Sequence, residues 1–236
     1  MERDWVDELE RWLQGRFAEL CETIDQPVPL SGLRINPALG VEESKYFLLG
    51  LEAGLFQPDE LGYVQSELLP PPSIGNTRQT TCQIFGHNPP PRLFREGVCQ
   101  LSTVSLLIMK RGWLKSHILM DPDCKDDRDM SYGIDILVKS PMGHILACVE
   151  VKRSVAELQK LITDLRACCK RGAHAKDDCG FPQNHPKYEF CAFYKPTYFW
   201  AVAPDADVCF RMKYDDGSIE LEQLISLPPR SMIESH

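Results

Sequence analysis

The sequence predicts an α/β fold on three observations. Apolar residues recur at helical spacing in long stretches at Trp5–Ile24, Leu93–Trp113 and Ser154–Lys170. Two runs that favour strands, Ile134–Lys139 and His144–Lys152, flank a turn at Ser140-Pro141-Met142-Gly143. Tyr188–Tyr194 and Tyr198–Ala203, rich in aromatic residues and valine, read as strands that extend the same sheet.

In chain order, Trp5, Leu9, Trp12, Leu13, Phe17 and Leu20 make an amphipathic first helix, which Gln26-Pro27-Val28-Pro29 ends. A second helix is expected from about Glu42 to Leu55, and a short third over Leu61–Leu69. Pro70-Pro71-Pro72 and Asn88-Pro89-Pro90-Pro91 bracket a polar stretch that reads as a linker or long loop. The expected division is therefore an acidic helical region over 1–69, a Pro-rich linker over 70–91 and a main domain over 92–236.

Within that domain, Leu93–Trp113 is apolar on more than one face and should be buried. Lys110 and Arg111 suit its C-terminal dipole, and Gly112 suits its end. Trp113–Met120 reads as the first core strand, followed by an acidic loop, Asp121 to Asp129. After the hairpin, Ser154 is the expected N-cap of the next helix, with Glu157 placed for a capping box. Arg171–Lys187 reads as a long loop whose end leads into a strand. Val208–Tyr214 and Ile219–Ile225 flank Asp215-Asp216-Gly217-Ser218, a hairpin signal. From Pro228 a loose tail is expected.

Composition narrows the class. The chain is 43% hydrophobic, and no apolar run reaches the length of a membrane span. Met1-Glu2-Arg3-Asp4 is too charged to open a secretion signal, so a cytoplasmic location is expected. The ten cysteines are then read as reduced and mostly buried. The net charge of −8 is uneven. Residues 1–69 hold 5 basic and 14 acidic groups, whereas residues 70–236 hold 21 and 20. Val151–Lys176 alone carries seven basic and two acidic residues. Its Arg153, Lys160, Arg166 and Lys170 form either a solvated helix face or a phosphate-contacting one. The acidic first third is read either as a partner-binding module or as a helical cap on the sheet.

The hairpin carries the chemistry. Side chains alternate along a strand, so Glu150 and Lys152 share one face, Val149 and Val151 the other, and pairing sets Asp135 beside Glu150. Two carboxylates at that range repel unless a cation lies between them. Hard oxygen donors suit Mg2+ or Mn2+.

Asp135, fourteen intervening residues, then Glu150-Val151-Lys152 resembles the motif of the PD-(D/E)XK nuclease superfamily. Ile134 stands where the motif's name has proline. The resemblance spans about Leu93–Val202 and implies a restriction endonuclease-like mixed sheet flanked by helices. It also implies metal-dependent hydrolysis of phosphodiesters, in DNA or RNA. Asp135, Glu150 and Val151 would serve the metal, and Lys152 would position or activate the attacking water. In the family the helix before the first core strand often adds a glutamate. Glu96 is the natural candidate, with Gln100 one turn later, although Glu96 is equally read as an acid favoured by the helix dipole. The literal Pro122-Asp123 offers a rival first ligand. Asp135 is preferred because it is expected within a strand beside its partner.

Two readings of other classes stand beside the nuclease. One is a non-catalytic subunit that keeps the fold and binds nucleic acid or protein. The other is a zinc-stabilised module built on Cys168, Cys169, His174, Cys179, His185 and Cys191. That cluster has no Cys-x-x-Cys knuckle, so the loop reading of the segment is preferred. Cutting both strands of a duplex would favour a homodimer.

Overall fold

The computed structural model describes residues 3–70, 82–122, 132–215 and 218–233. Helix α1 (Trp5–Thr23) starts at Asp4, whose carboxylate accepts the Asp7 amide at 3.1 Å. Leu9, Leu13, Phe17 and Leu20 form its buried stripe. Helix α2 (Val41–Glu52) starts at Gly40, whose amide donates to Glu43 Oε2 at 3.1 Å.

The helix expected over Leu61–Leu69 does not form. The Asp59 side chain accepts the amides of Leu61 and Tyr63, both at 2.9 Å, and Gly62 takes a φ of +76°. The carboxylate thus captures amides that a helix would need, and the chain turns back. A short ribbon results, β1 (Gln57–Pro58) against β2 (Val64–Gln65). A second ribbon pairs β3 (Phe85–Gly86) with β4 (Arg92–Leu93).

Helix α3 (Arg95–Met109) is buried along most of its length, as expected, and stops before Gly112, which has a φ of +74°. Gly97 packs so tightly on the Gln83 carbonyl that a β-carbon would collide with it. The first core strand is shorter than expected. Lys115–His117 is a 3-10 turn, and only Ile118–Met120 (β5) pairs.

The main sheet continues with β6 (Ile136–Lys139), β7 (Ile145–Val151), β8 (Tyr198–Ala203), β9 (Ala206–Asp215) and β10 (Ser218–Leu224). Spatial order follows sequence order across all six strands. Every pairing is antiparallel except β7 with β8, which is parallel. A parallel neighbour needs a long crossover. It is supplied by α4 (Val155–Arg171) and α5 (His185–Tyr194).

The strand expected over Tyr188–Tyr194 is therefore helix α5. Pro186 lies in its first turn, where a missing amide costs nothing, and His185, Tyr188 and Cys191 recur on its buried side. Ser154 does cap α4, accepting the Glu157 amide at 3.3 Å. The β9–β10 hairpin is as expected, although its Asp216 and Gly217 lie outside the described residues. So do most of the polar stretch between the proline clusters and the greater part of the acidic loop, including Asp123. In place of a loose tail, buried Leu227 is followed by the one-turn helix α6 (Arg230–Ile233).

Each face of the sheet is covered. Ile136, Val138, Ala147, Val149, Val151 and Trp200 join one core with residues of α1, α2 and α3. Leu137, Cys148, Phe199, Ala201 and Phe210 join a second core with residues of α4 and α5. The fold is mixed α/β, a six-stranded mixed sheet flanked by helices. Eight of the nine described cysteines are buried, and all nine are unbridged. Among the described residues no helix is long and apolar enough to cross a membrane.

Candidate functional site

Four oxygens gather at the carboxyl end of β7. Ile136 pairs with Val149, so Asp135, one residue before β6, continues the register toward Glu150. Contrary to expectation, Asp135 lies just outside the strand. Its Oδ2 accepts the Val151 amide at 2.6 Å, so the carboxylate takes up a donor at the edge of the ladder. Gln100 fixes it from behind, donating to the Asp135 carbonyl at 2.9 Å and to Asp121 Oδ1 at 2.7 Å.

Lys152 comes directly after β7, and its amide bonds the Val202 carbonyl at 2.7 Å, which ties its backbone to β8. Its ammonium lies 3.3 Å from Glu96 Oε1, 3.4 Å from Glu150 Oε2 and 3.8 Å from Asp135 Oδ2. It also donates to the Val151 carbonyl at 2.7 Å. Asp135, Glu150, Lys152 and Glu96 are thus together, and Val151 contributes its main chain. Of the two candidates on α3, Glu96 meets the site with its carboxylate, while Gln100 supports the backbone.

The site is graded in exposure. The Glu150 side chain is sealed, those of Asp135 and Lys152 are about one-fifth exposed, and that of Glu96 is 46% exposed. Solvent thus reaches the carboxylates from the α3 side. Burial, and then the Glu150 charge, push the Asp135 carboxyl well above the usual carboxylate range. Lys152, Lys187 and the Val151 amide pull only partly the other way. Burial works against the Lys152 ammonium. The charges of Glu150, Asp135 and Glu96 outweigh it and raise its pKa above the ordinary lysine value.

A second lysine completes the charge pattern. Lys187 of α5 lies 2.9 Å from Glu150 Oε1, an ion contact too poorly angled for a hydrogen bond, and donates to the Gly133 carbonyl. Three carboxylates thus face two ammonium groups. Carboxylate oxygens are hard donors of the kind that suit small divalent cations, but those of Asp135, Glu150 and Glu96 do not all lie within 4.8 Å of one another, and here they converge on ammonium groups.

Glu96 also opens onto a polar cavity of about 450 Å3, lined in part by Arg34, Asn36, Arg92, Arg153 and Glu157. Arg95, in the same wall, is buried and inward-turned. It bonds both Glu43 oxygens at 2.7 Å and the carbonyls of Pro37 and Ala38 at 2.9 and 3.1 Å. That network fixes the start of α3 and hence Glu96.

The basic residues in and just before α4 divide. Arg153 borders the cavity, although its Nε is held by Glu157 at 2.7 Å. Lys160 lies 3.6 Å from Asp164, and Arg166 bonds Gln223 on β10 at 2.7 Å. Lys170 is exposed near the far end of α4. The sequence reading missed Lys187, Arg34 and Arg92. For Lys187 a signal existed, since His185-Pro186 is a helix start. Arg34 and Arg92 lie in segments with no periodicity to read.

Family models, curated proteins and solved structures were each compared with this chain, and none of the three comparisons finds a match.

Proposed function

We propose that this chain is a Mg2+- or Mn2+-dependent nuclease of the PD-(D/E)XK type that hydrolyses phosphodiesters, with DNA as the substrate. The observation that carries the reading is the convergence of Asp135, Glu150, Glu96 and the Val151 carbonyl on one ammonium, at an edge open to solvent and beside arginines. Those oxygens are the donor set that would hold the ion. A divalent ion held there would supply Lewis-acid chemistry, with the phosphoryl group made more electrophilic and the attacking water more acidic.

The chain's own groups divide the remaining work. Lys152 is placed to orient the water and to stabilise negative charge developing on the phosphate. Lys187 balances Glu150 on the side away from solvent. Arg34, Arg92 and Arg153 would hold flanking phosphates, and the cavity they line gives the backbone a route to Glu96. Purified protein with Mg2+ or Mn2+ should nick plasmid DNA, and Lys152→Ala should stop it with the circular dichroism spectrum unchanged. Equal cleavage by that variant would remove the proposal.

One observation favours a second reading, a nuclease-fold subunit that binds without cutting. Glu150 has no exposure and already faces two lysines, so ammonium groups serve as the cations. Calorimetry separates the two. A nuclease takes up Mn2+ and loses that uptake with Asp135→Asn, whereas the binding subunit takes up none.

A further inference from the structure

We propose that Cys168, His174, Cys179 and His185 form a structural zinc site that fastens the crossover between β7 and β8. Five, four and five residues separate these four in sequence, a spacing that a search for paired-cysteine knuckles passes over. The fold brings them together from three places. Cys168 is in the last turn of α4, His185 opens α5, and His174 and Cys179 lie in the connection between. One sulfur or nitrogen from each lies within 4.8 Å of all the others.

The distances suit a tetrahedral ion. Zn–S and Zn–N bonds of about 2.3 and 2.0–2.1 Å give tetrahedron edges of roughly 3.3 to 3.8 Å. The Cys168 and Cys179 sulfurs are 3.5 Å apart. That is far beyond a disulfide bond of about 2.0 Å.

The surroundings are already set for ligation. His174 Nδ1 is 2.6 Å from the Gly172 carbonyl. As the donor of that bond, Nδ1 carries the proton and leaves Nε2 with its lone pair, the outer-shell arrangement that orients metal-bound histidines. His174 Nε2 is buried and makes no hydrogen bond among the described residues. His185 is fully buried, and neither of its ring nitrogens makes one. Such nitrogens are costly to bury unpartnered. Glu189 Oε1, 3.5 Å from His185 Nε2, stands as its outer-shell acceptor. The Cys179 sulfur accepts the Phe181 amide at 3.3 Å, a bond that would stabilise a thiolate.

Charge and softness select the ion. Zn2+ would displace one proton from each thiol, and two thiolates with two neutral imidazoles would leave the partly buried site uncharged. Mixed sulfur and imidazole donors in a tetrahedron suit zinc and not the hard ions proposed for the carboxylate site. All four positions are filled by protein, so the role is structural.

The site would also order the connection between the two helices. Thirteen residues, 172–184, join α4 to α5, and their only helical feature is the 3-10 turn Lys176–Asp178. The zinc would supply the crosslinks that so short a core cannot. Asn184, which donates to buried Asp164 at 2.7 Å, is the neighbouring polar tie. Lys187, two residues beyond His185, would be held against Glu150 by the same anchorage.

The test uses the untagged full-length protein, purified from medium without added zinc. Elemental analysis should find about one zinc per chain. Asp135→Asn should retain it, and Cys179→Ala should lose it. If Cys179→Ala fails to fold, Co2+ titrated into metal-stripped wild-type protein decides. The expected result is the intense visible absorption of a tetrahedral thiolate complex, saturating at one equivalent. Wild-type protein with neither zinc nor that spectrum overturns the proposal. So does a thiol count showing Cys168 and Cys179 joined in freshly purified protein, or zinc lost from Asp135→Asn but kept by Cys179→Ala.

Discussion

The carboxylate site at the end of β7 and the Cys/His cluster at the start of α5 are both convergent polar clusters in one domain, built on opposite chemical terms. The first gathers oxygens around two lysines and grades from sealed Glu150 to half-exposed Glu96. The second gathers two sulfurs and two imidazoles with no charged group among them, and two of its four members are buried. An open, charged, oxygen-rich cluster suits a hard ion that keeps water and meets a substrate. A closed, soft one suits an ion that only holds chain together. Helix α5 touches both, through His185 on one face and Lys187 on another. Residues two apart on a helix point in nearly opposite directions, so one helix can serve both sites.

Damage to the carboxylate site should therefore leave the Cys/His cluster intact, and the largest effect should come from Lys152. Lys152→Ala is expected to lower metal-dependent cleavage by at least about 10^2- to 10^3-fold, the scale of a lost charge-stabilising donor, with zinc content unchanged. A fall in zinc content with that variant would show that the two clusters are not independent.

The next effect concerns what positions the oxygen site. Glu43→Ala leaves the Arg95 guanidinium buried without its carboxylate and should cost about 3–5 kcal/mol in urea unfolding. The paired change Glu43→Met with Arg95→Leu should recover part of that, because it leaves no buried charge but removes the partners of the Pro37 and Ala38 carbonyls and the Gly40 amide. If Glu43→Ala alone is tolerated, the anchoring of α3 assigned to this pair is wrong.

A smaller effect is expected at the cavity wall. Arg34→Ala and Arg92→Ala should each weaken DNA binding across all sequences and flatten its salt dependence by about one counterion. Unchanged salt slopes would place the nucleic acid elsewhere.

The smallest effect is in the metal-free protein. The Asp135 carboxyl titrates above its unfolded value, so the native state binds the extra proton in the window between the two. Ionising Asp135 thus costs stability as pH rises through that window, and below the usual carboxylate range the cost is absent. Asp135→Asn should raise Tm by a few degrees near neutral pH and change it little in acid. A lower Tm at neutral pH would mean that the Lys152 and Lys187 contacts outweigh the cost of burial and the repulsion from Glu150.

Much of the carboxylate site was legible because it is local. Asp135, Glu150 and Lys152 belong to one hairpin, and alternation along a strand decides which of them can meet. Glu96 was legible as an acid on the preceding helix, but its choice over Gln100 needed the placement of α3 against the sheet. Lys187 was hidden by the reading of Tyr188–Tyr194 as a strand. Aromatic residues favour strands in isolation, and the parallel pairing of β7 with β8 demanded a crossover that turned this segment into a helix.

Sequence alone thus determined the element types wherever the apolar repeat was long, and the three chemical groups of the hairpin. Periodicity and turn chemistry act over a few residues and are written locally. The tertiary structure decided everything that joins distant parts of the chain: Lys187 on Glu150, Arg34 and Arg92 beside Glu96, and four sulfur and nitrogen donors from two helices and a loop. Charge pairing and ligand geometry depend on distance in space, and that distance is set only once both faces of the sheet are covered.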